Sequence, residues 1–212
     1  MCFKVMLFDL DETLYPPATG IWQAIGERMD DYIVSRLSIT PAEVSTFRNE
    51  LFHQYGTTMR GLREVYGIDE REFLAYVHDI PLDRYLGRDE VLIQTLGLFP
   101  QQKVIFTNAD TGHARRVLHT LGIEHFFTRV IDIQAIHPYC KPMSEAFQLA
   151  FELAGIDNPT ECVMIDDSDR NLVTAHELGL FTIRIGSEER TEHVDAAILS
   201  IHDLPDVIPV SG

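Results

Sequence analysis

The stretch MLFDLDETLY, residues 6–15, organises the chain. An apolar run beginning at Phe3 ends in two aspartates one residue apart, Asp9 and Asp11, with Thr13 two further on. A continuous apolar run of this length reads as a strand over residues 3–8, of the kind buried on both faces in parallel sheets. Neither a strand nor its turn requires two carboxylates at its mouth, so these side chains call for a chemical reason.

The second half of the chain repeats the pattern outward from that strand. Apolar runs lie at 103–107, 161–165 and 181–185, with weaker ones at 128–133 and 196–199. Amphipathic stretches over about 111–121, 143–154 and 169–178 each precede a glycine, Gly122, Gly155 and Gly179, the residue that most readily closes a helix. This alternation predicts an α/β fold, a three-layer doubly wound parallel sheet with a Rossmann-like core. Between the first strand and residue 103 the pattern changes. Ile21, Ile25, Met29, Ile33 and Leu37 recur every four residues, and Thr40-Pro41-Ala42-Glu43 reads as an N-cap, a first-turn proline and a capping-box glutamate. The expected domains are therefore a core of residues 1–15 and 87–212 and an inserted small α-helical cap of residues 16–86, able to screen substrates and exclude water.

In open parallel sheets, ligands bind at the carboxyl ends of the strands. That edge collects Asp9 and Asp11, Thr107 and Asn108, Lys141 in the loop before the helix at 143, and Asp166 with Asp167. Like-charged carboxylates about 4 Å apart repel by roughly 4 kcal/mol per pair at an effective dielectric near 20. A divalent cation removes that repulsion, and oxygen-only ligands favour Mg²⁺ completed by substrate phosphate. Thr107, Asn108 and Lys141 supply donors and charge for a phosphate, helped by N–H groups around Asn108 and Ala109 at a helix start. Of the two aspartates at the first strand, one can attack phosphorus while the other moves the proton.

The charge of −16 repels a nucleic-acid polymer and leaves small anions as ligands where a cation and a lysine reverse the field locally. No apolar run approaches the roughly 18 residues of a membrane span, and no signal peptide is evident, so the expected address is cytoplasmic. Cys2, Cys140 and Cys162 are widely spaced and read as reduced thiols. The nine histidines, His113 and His137 among them, show no metal-binding pattern and read as packed or solvated. Tyr15, Trp22, Phe52, Tyr55 and Arg60 read as packing residues, with none assigned to a base.

Asp9-Leu10-Asp11-Glu12-Thr13, Thr107-Asn108, Lys141-Pro142 and Asp166-Asp167 resemble, in order and context, the four motifs of the haloacid dehalogenase-like (HAD-like) hydrolase superfamily. The resemblance implies a nucleophile at Asp9 and a general acid/base at Asp11. It also implies Mg²⁺ held by the Asp9 carboxylate, the Asp11 main-chain carbonyl and Asp167, with Asp166 acting through water. True haloacid dehalogenases lack an acid at the position of Asp11, so its presence favours phosphoester chemistry. FDLDETLYP, YGTTMRGLREVYGID (55–69), TNADTGHARRVL (107–118) and IDDSDRNLVTAHELG (165–179) further resemble the pyrimidine 5′-nucleotidase branch. The expectation is a Mg²⁺-dependent phosphomonoester hydrolase acting on a small phosphorylated metabolite, foremost a pyrimidine nucleoside 5′-monophosphate. A sugar-phosphate phosphatase or phosphomutase on the same core is the nearest alternative, and a non-catalytic phosphate-binding scaffold the alternative of another class.

Overall fold

A computed structural model of the chain describes residues 3–210. The chain divides into two compact units, one built from the segments up to Thr19 and from Leu86 onward, the other from Gly20–Tyr85. Cys2 lies outside the described residues, while Cys140 and Cys162 are buried. Among the described residues no helix is long and apolar enough to cross a membrane.

The first unit carries β1 (Val5–Phe8), β2 (Gln102–Phe106), β3 (Phe127–Ile131), β4 (Cys162–Asp166), β5 (Phe181–Ile185) and β6 (Ala196–Ile198). They form one sheet in the order β3-β2-β1-β4-β5-β6, with every neighbouring pair parallel. The four residues of β1 are buried on both faces, as the unbroken apolar run requires. On one face Val5, Leu7, Val104, Phe106 and Met164 pack with Phe147, Ala150, Leu172 and Ala175 from two helices. Phe106 meets Phe147 edge-on at a centroid distance of 5.1 Å. The alternate residues Met6, Phe8, Ile105, Val163 and Ile165 point the other way and are just as buried, so both faces are covered.

The helices are, in chain order, α1 (Ile21–Leu37), α2 (Val44–Tyr55), α3 (Thr58–Tyr66), α4 (Glu70–Val77), α5 (Glu90–Gly97), α6 (Thr111–Leu121), α7 (Ser144–Ala154) and α8 (Asp169–Glu177). The first four make up the second unit, where α1 buries Ile21, Ile25, Tyr32 and Ile33 along the stripe expected from its four-residue spacing. Gly122 ends α6 with φ 79°, a left-handed conformation that a side chain would oppose.

Several element boundaries differ from the sequence reading: β1 begins at Val5 rather than at residue 3, and three other shifts have a visible cause. β2 stops at Phe106, because the Thr107 hydroxyl already accepts the Ala109 N–H and starts a turn. β4 runs one residue further, since Asp166 still pairs with Arg184 of β5. The signal at residues 40–43 gives a turn, and α2 begins only at Val44. There the Thr40 hydroxyl donates to the Glu43 carboxylate at 2.5 Å and that carboxylate also accepts the Thr40 N–H at 3.3 Å, so the glutamate half of the capping box forms while α2 starts at Val44 without a side-chain cap.

Gly61 of α3 shows how closely the second unit is packed. A Cβ at this position would lie 2.8 Å from Leu51 Cβ and 2.9 Å from Leu51 Cδ2 on α2. Replacing glycine by alanine inside a helix ordinarily stabilises by roughly 0.5–1 kcal/mol. Here overpacking against a rigid Cβ reverses the sign, and Gly61→Ala is expected to destabilise by about 1–3 kcal/mol, read from urea unfolding.

Candidate active site

The strand order places the connection from β1 to β2 on one side of β1 and brings β4 to its other side, so the order reverses between β1 and β4. Carboxyl strand ends at such a reversal form the ligand crevice of open α/β sheets. Asp9 follows β1 directly, and its N–H donates to Ile165 O at 2.9 Å, extending the ladder by one bond. Asp166 is the last residue of β4 and Asp167 the next, so the backbone of the two central strands fixes where these carboxylates emerge.

Lys141 ties them together from the loop before α7. Its Nζ donates to Asp9 Oδ1 at 2.6 Å and to Asp166 Oδ2 at 2.9 Å, with the lysine side chain only 1% exposed. Asp166 is fully engaged: Oδ1 accepts from the Ser168 N–H at 2.9 Å, and the Asn171 amide donates to both carboxylate oxygens at 3.0 Å. The Lys141 loop is anchored by Asn108, whose side-chain oxygen accepts the Lys141 N–H at 2.8 Å and whose amide donates to Lys141 O at 3.0 Å. Thr13 joins the first and fourth segments. Its hydroxyl accepts the Asp167 N–H at 3.1 Å and lies 3.2 Å from Asp167 Oδ1 and 3.4 Å from Asp9 Oδ2, donating its one proton to either.

Asp9, Asp166 and Asp167 each offer an oxygen within 4.8 Å of the other two. Burial first, then repulsion from Asp166 and Asp167, holds the Asp9 carboxyl well above the usual range even though Lys141 opposes the shift. Burial and Asp166 likewise push Asp167 up to about 7. Burial works against the charge on Lys141, but Asp166 and Asp9 outweigh it and raise its pKa. One ammonium thus faces three carboxylates, and the residual repulsion is what a hard divalent cation relieves. The all-oxygen donor set fits Mg²⁺, with Asp9 and Asp167 the carboxylates left over once Asp166 is committed to Lys141 and Asn171.

Asp11 stands outside that trio. Its Oδ1 is 2.8 Å from His113 Nε2 and accepts a hydrogen bond from the Tyr15 hydroxyl. Burial, and after it the nearby Asp11 charge, keeps the Tyr15 phenol protonated by raising its pKa. Thr107 is 2% exposed, and its hydroxyl accepts the Ala109 N–H at 3.0 Å. The Ala109 N–H is therefore spent inside the turn rather than offered to a ligand, and α6 opens at Thr111, as its amphipathic stretch predicts, capped by the Asp110 side chain, which accepts the His113 N–H at 3.0 Å.

Tyr15, His113 and Asn171 had no role in the sequence reading. Tyr15 sits four residues after Asp11 and His113 three after the cap Asp110, spacings that do place each toward the strand ends. A lone aromatic or histidine carries no chemistry by itself, and only the folded chain reveals its partner. Lys141, which taken singly reads as a surface residue, is among the most deeply buried side chains.

A family model described as haloacid dehalogenase-like hydrolase matches residues 3–179. The chain belongs to the haloacid dehalogenase-like hydrolase family. It is 26% identical over 191 residues to phosphate metabolism protein 8 of Saccharomyces cerevisiae, covering 84% of this chain and 60% of that protein's length. It is 27% identical over 218 residues to a glyceraldehyde 3-phosphate phosphatase of Methanopyrus kandleri, covering 96% and 91% of the two chains. Among solved structures, the magnesium-bound HAD hydrolase YfnB of Bacillus subtilis superimposes with a TM-score of 0.65 at 16% identity, covering 99% of this chain and all of that one. At that identity the likeness speaks for the fold.

Removing the Lys141 ammonium leaves buried carboxylates without their only lysine partner. Lys141→Met is expected to lower the unfolding free energy by about 3–5 kcal/mol in chelator-treated protein, the cost of breaking a buried ion pair from one side, measured by urea unfolding at neutral pH.

Proposed function

We propose that the chain is a Mg²⁺-dependent phosphomonoester hydrolase working through an aspartyl-phosphate intermediate. The observation that carries this is the convergence of Asp9, Asp167 and the Asp166-bound Lys141 at one strand edge, with the Asp11 carboxylate nearby in sequence but held by different partners. The catalytic residues are Asp9 and Asp11, the phosphate contacts come from the Thr107 hydroxyl, the Asn108 main-chain N–H and Lys141, and the metal ligands are Asp9, the Asp11 carbonyl and Asp167, supported by Asp166.

An Asp9 oxygen bonds to phosphorus as the ester P–O bond breaks, and Asp11 gives its proton to the departing oxygen. Water then attacks the phosphorus of the aspartyl phosphate as Asp11 takes a proton from it, and the Asp9–phosphorus bond breaks to release inorganic phosphate and restore the Asp9 carboxylate. Lys141 steadies the charge on the transferring group while holding Asp9 in place. Asn108 fixes the Lys141 loop through its main chain. Bound Mg²⁺ supplies charge neutralisation between the carboxylates and the phosphate oxygens.

For the substrate, we infer a small phosphorylated metabolite, with a pyrimidine nucleoside 5′-monophosphate favoured by the four stretches that resemble the nucleotidase branch. A sugar or triose phosphate is the second reading. It is supported by the Methanopyrus relative named as a glyceraldehyde 3-phosphate phosphatase, which is matched over nearly its whole length. The Gly20–Tyr85 unit, inserted in the chain between β1 and β2, takes the part of the cap, and a cytoplasmic address belongs to the same proposal.

Phosphate release from a panel of nucleotides, sugar phosphates and phosphoglycolate is expected to require Mg²⁺ and to vanish in Asp9→Asn. Asp11→Asn is expected to lose about 10²–10⁴-fold. An isomeric phosphate product in place of inorganic phosphate would identify a mutase, and no release from any compound would leave a binding scaffold.

Metal binding has its own readout. Mg²⁺ at 100 times its Kd is expected to stabilise the protein by about 2.7 kcal/mol, seen as a rise in Tm. Asp167→Asn is expected to lose most of that rise whatever its activity.

A further inference from the structure

Two donors from different parts of the chain meet on one oxygen of Asp11. Tyr15 arrives from the turn after β1, where the Leu14 N–H donates to Leu10 O at 3.0 Å and carries the ring back over the aspartate. His113 arrives from the first turn of α6, with Nε2 2.8 Å from the same oxygen. All three groups are shielded: Tyr15 is 3% exposed, the His113 side chain 0% and the Asp11 side chain 11%. With Nε2 carrying the ring proton, both contacts are donations to Oδ1, which accepts whether the Asp11 carboxyl is ionised or protonated on its other oxygen.

His113 is itself braced. Its N–H is capped by Asp110 Oδ1 at 3.0 Å. The start of α6 is also fastened to the turn after β3. Asp132 Oδ2 accepts the Thr111 N–H at 2.8 Å and the Thr111 hydroxyl at 2.6 Å, while Asp132 Oδ1 accepts the Ala135 N–H at 2.9 Å. Two carboxylates, neither of them in the metal-binding trio, thereby fix the ring that holds Asp11. A solvated surface aspartate samples several rotamers, whereas one gripped through a single oxygen by two buried donors is confined.

We propose that Tyr15 and His113 are positioning residues that jointly hold the Asp11 carboxyl in line with the leaving-group oxygen of the substrate. The inference rests on the phosphatase reading above and extends it to two residues outside its motifs. Proton delivery to the ester oxygen needs donor and acceptor within hydrogen-bond reach, and a carboxyl free to turn away spends little time there. The proton passed on in each turnover belongs to Asp11, and Tyr15 and His113 keep theirs. Loss of either donor therefore weakens proton delivery to the departing oxygen in the first step and proton uptake from water in the second, and only the first depends on the leaving group.

The consequence depends on the leaving group. An alkyl phosphate leaves as a strongly basic alkoxide and needs the acid, whereas p-nitrophenyl phosphate leaves as a stable phenolate and scarcely needs it. Tyr15→Phe keeps the buried ring and removes only the hydroxyl. It is expected to lower kcat/KM for an alkyl phosphate by about 10–100-fold, the scale usual for outer-shell partners, because kcat/KM covers the steps up to alcohol release and not the later hydrolysis that both substrates share. With p-nitrophenyl phosphate the loss is expected to stay below about 3-fold, since little acid help is there to lose. His113→Leu is expected to repeat this pattern, and His113→Gln, whose amide nitrogen reaches the place of Nε2, to restore most of the alkyl-phosphate rate. In an Asp11→Asn background, Tyr15→Phe is expected to add no further loss.

Equal losses of kcat/KM on both substrates, or losses that multiply with Asp11→Asn, would overturn the positioning role. So would a Tyr15→Phe enzyme with undiminished alkyl-phosphate turnover. The parent reading fails separately, by an absence of phosphate release from the unmodified protein or by an Asp11→Asn variant as active as it. Should His113→Leu not fold, the Tyr15→Phe comparison and its double variant decide the matter alone.

Discussion

The Lys141 ammonium, bonded to Asp9 and Asp166, is the interaction on which the rest of the site depends. Burying a charge costs several kcal/mol unless it is paired and hydrogen-bonded. Each partner here meets that demand through a different part of the chain: Asp166 through Asn171 and the Ser168 N–H, and the lysine loop through Asn108. Asp9 is anchored by its own backbone to β4. The one imbalance left, a carboxylate excess at Asp9 and Asp167, sits at the end of the central strands where a cation and a phosphate can both approach. The charge at this edge is therefore acidic like the chain as a whole, with Lys141 set against the carboxylate excess.

Residues of the site divide by how they use their polar groups. Asp166 and Asn108 spend theirs on neighbours, Asn108 on the Lys141 main chain and Asp166 on the lysine head, so each shapes the site through what it holds. Asp9 and Asp167 have fewer donors, and burial, followed by repulsion from neighbouring carboxylates, raises their proton affinities. Thr13 joins Asp9 to Asp167 through one hydroxyl, which explains why a short polar side chain follows the two aspartates of the first strand.

The sheet was legible because buried parallel strands are apolar runs that end at Gly- and Asp-marked turns. β1, β2, β4 and β5 fall within a residue or so of where the pattern places them, and even the weak runs that became β3 and β6 are strands. The seven polar residues proposed for the site were legible for a related reason: their positions at strand ends follow from the sheet alone. Burial of Lys141, the Asp11 clasp by Tyr15 and His113, and the bracing of Asp166 by Asn171 were not. Those depend on side chains from distant segments meeting in space, and no periodicity records which rotamer closes such a contact. Ala109 illustrates the same limit, since the choice of its N–H between a ligand and the Thr107 hydroxyl is made by a turn of two residues.

The bonds that assemble this centre span most of the chain, 132 residues from Asp9 to Lys141 and 154 from Thr13 to Asp167. Contacts so remote in sequence close only when the sheet between them is complete. During synthesis Asp9 emerges long before Lys141, Asp166 and Asp167. A nascent chain therefore carries that carboxylate without the ammonium that pairs with it, and the charge arrangement arrives together with the finished sheet.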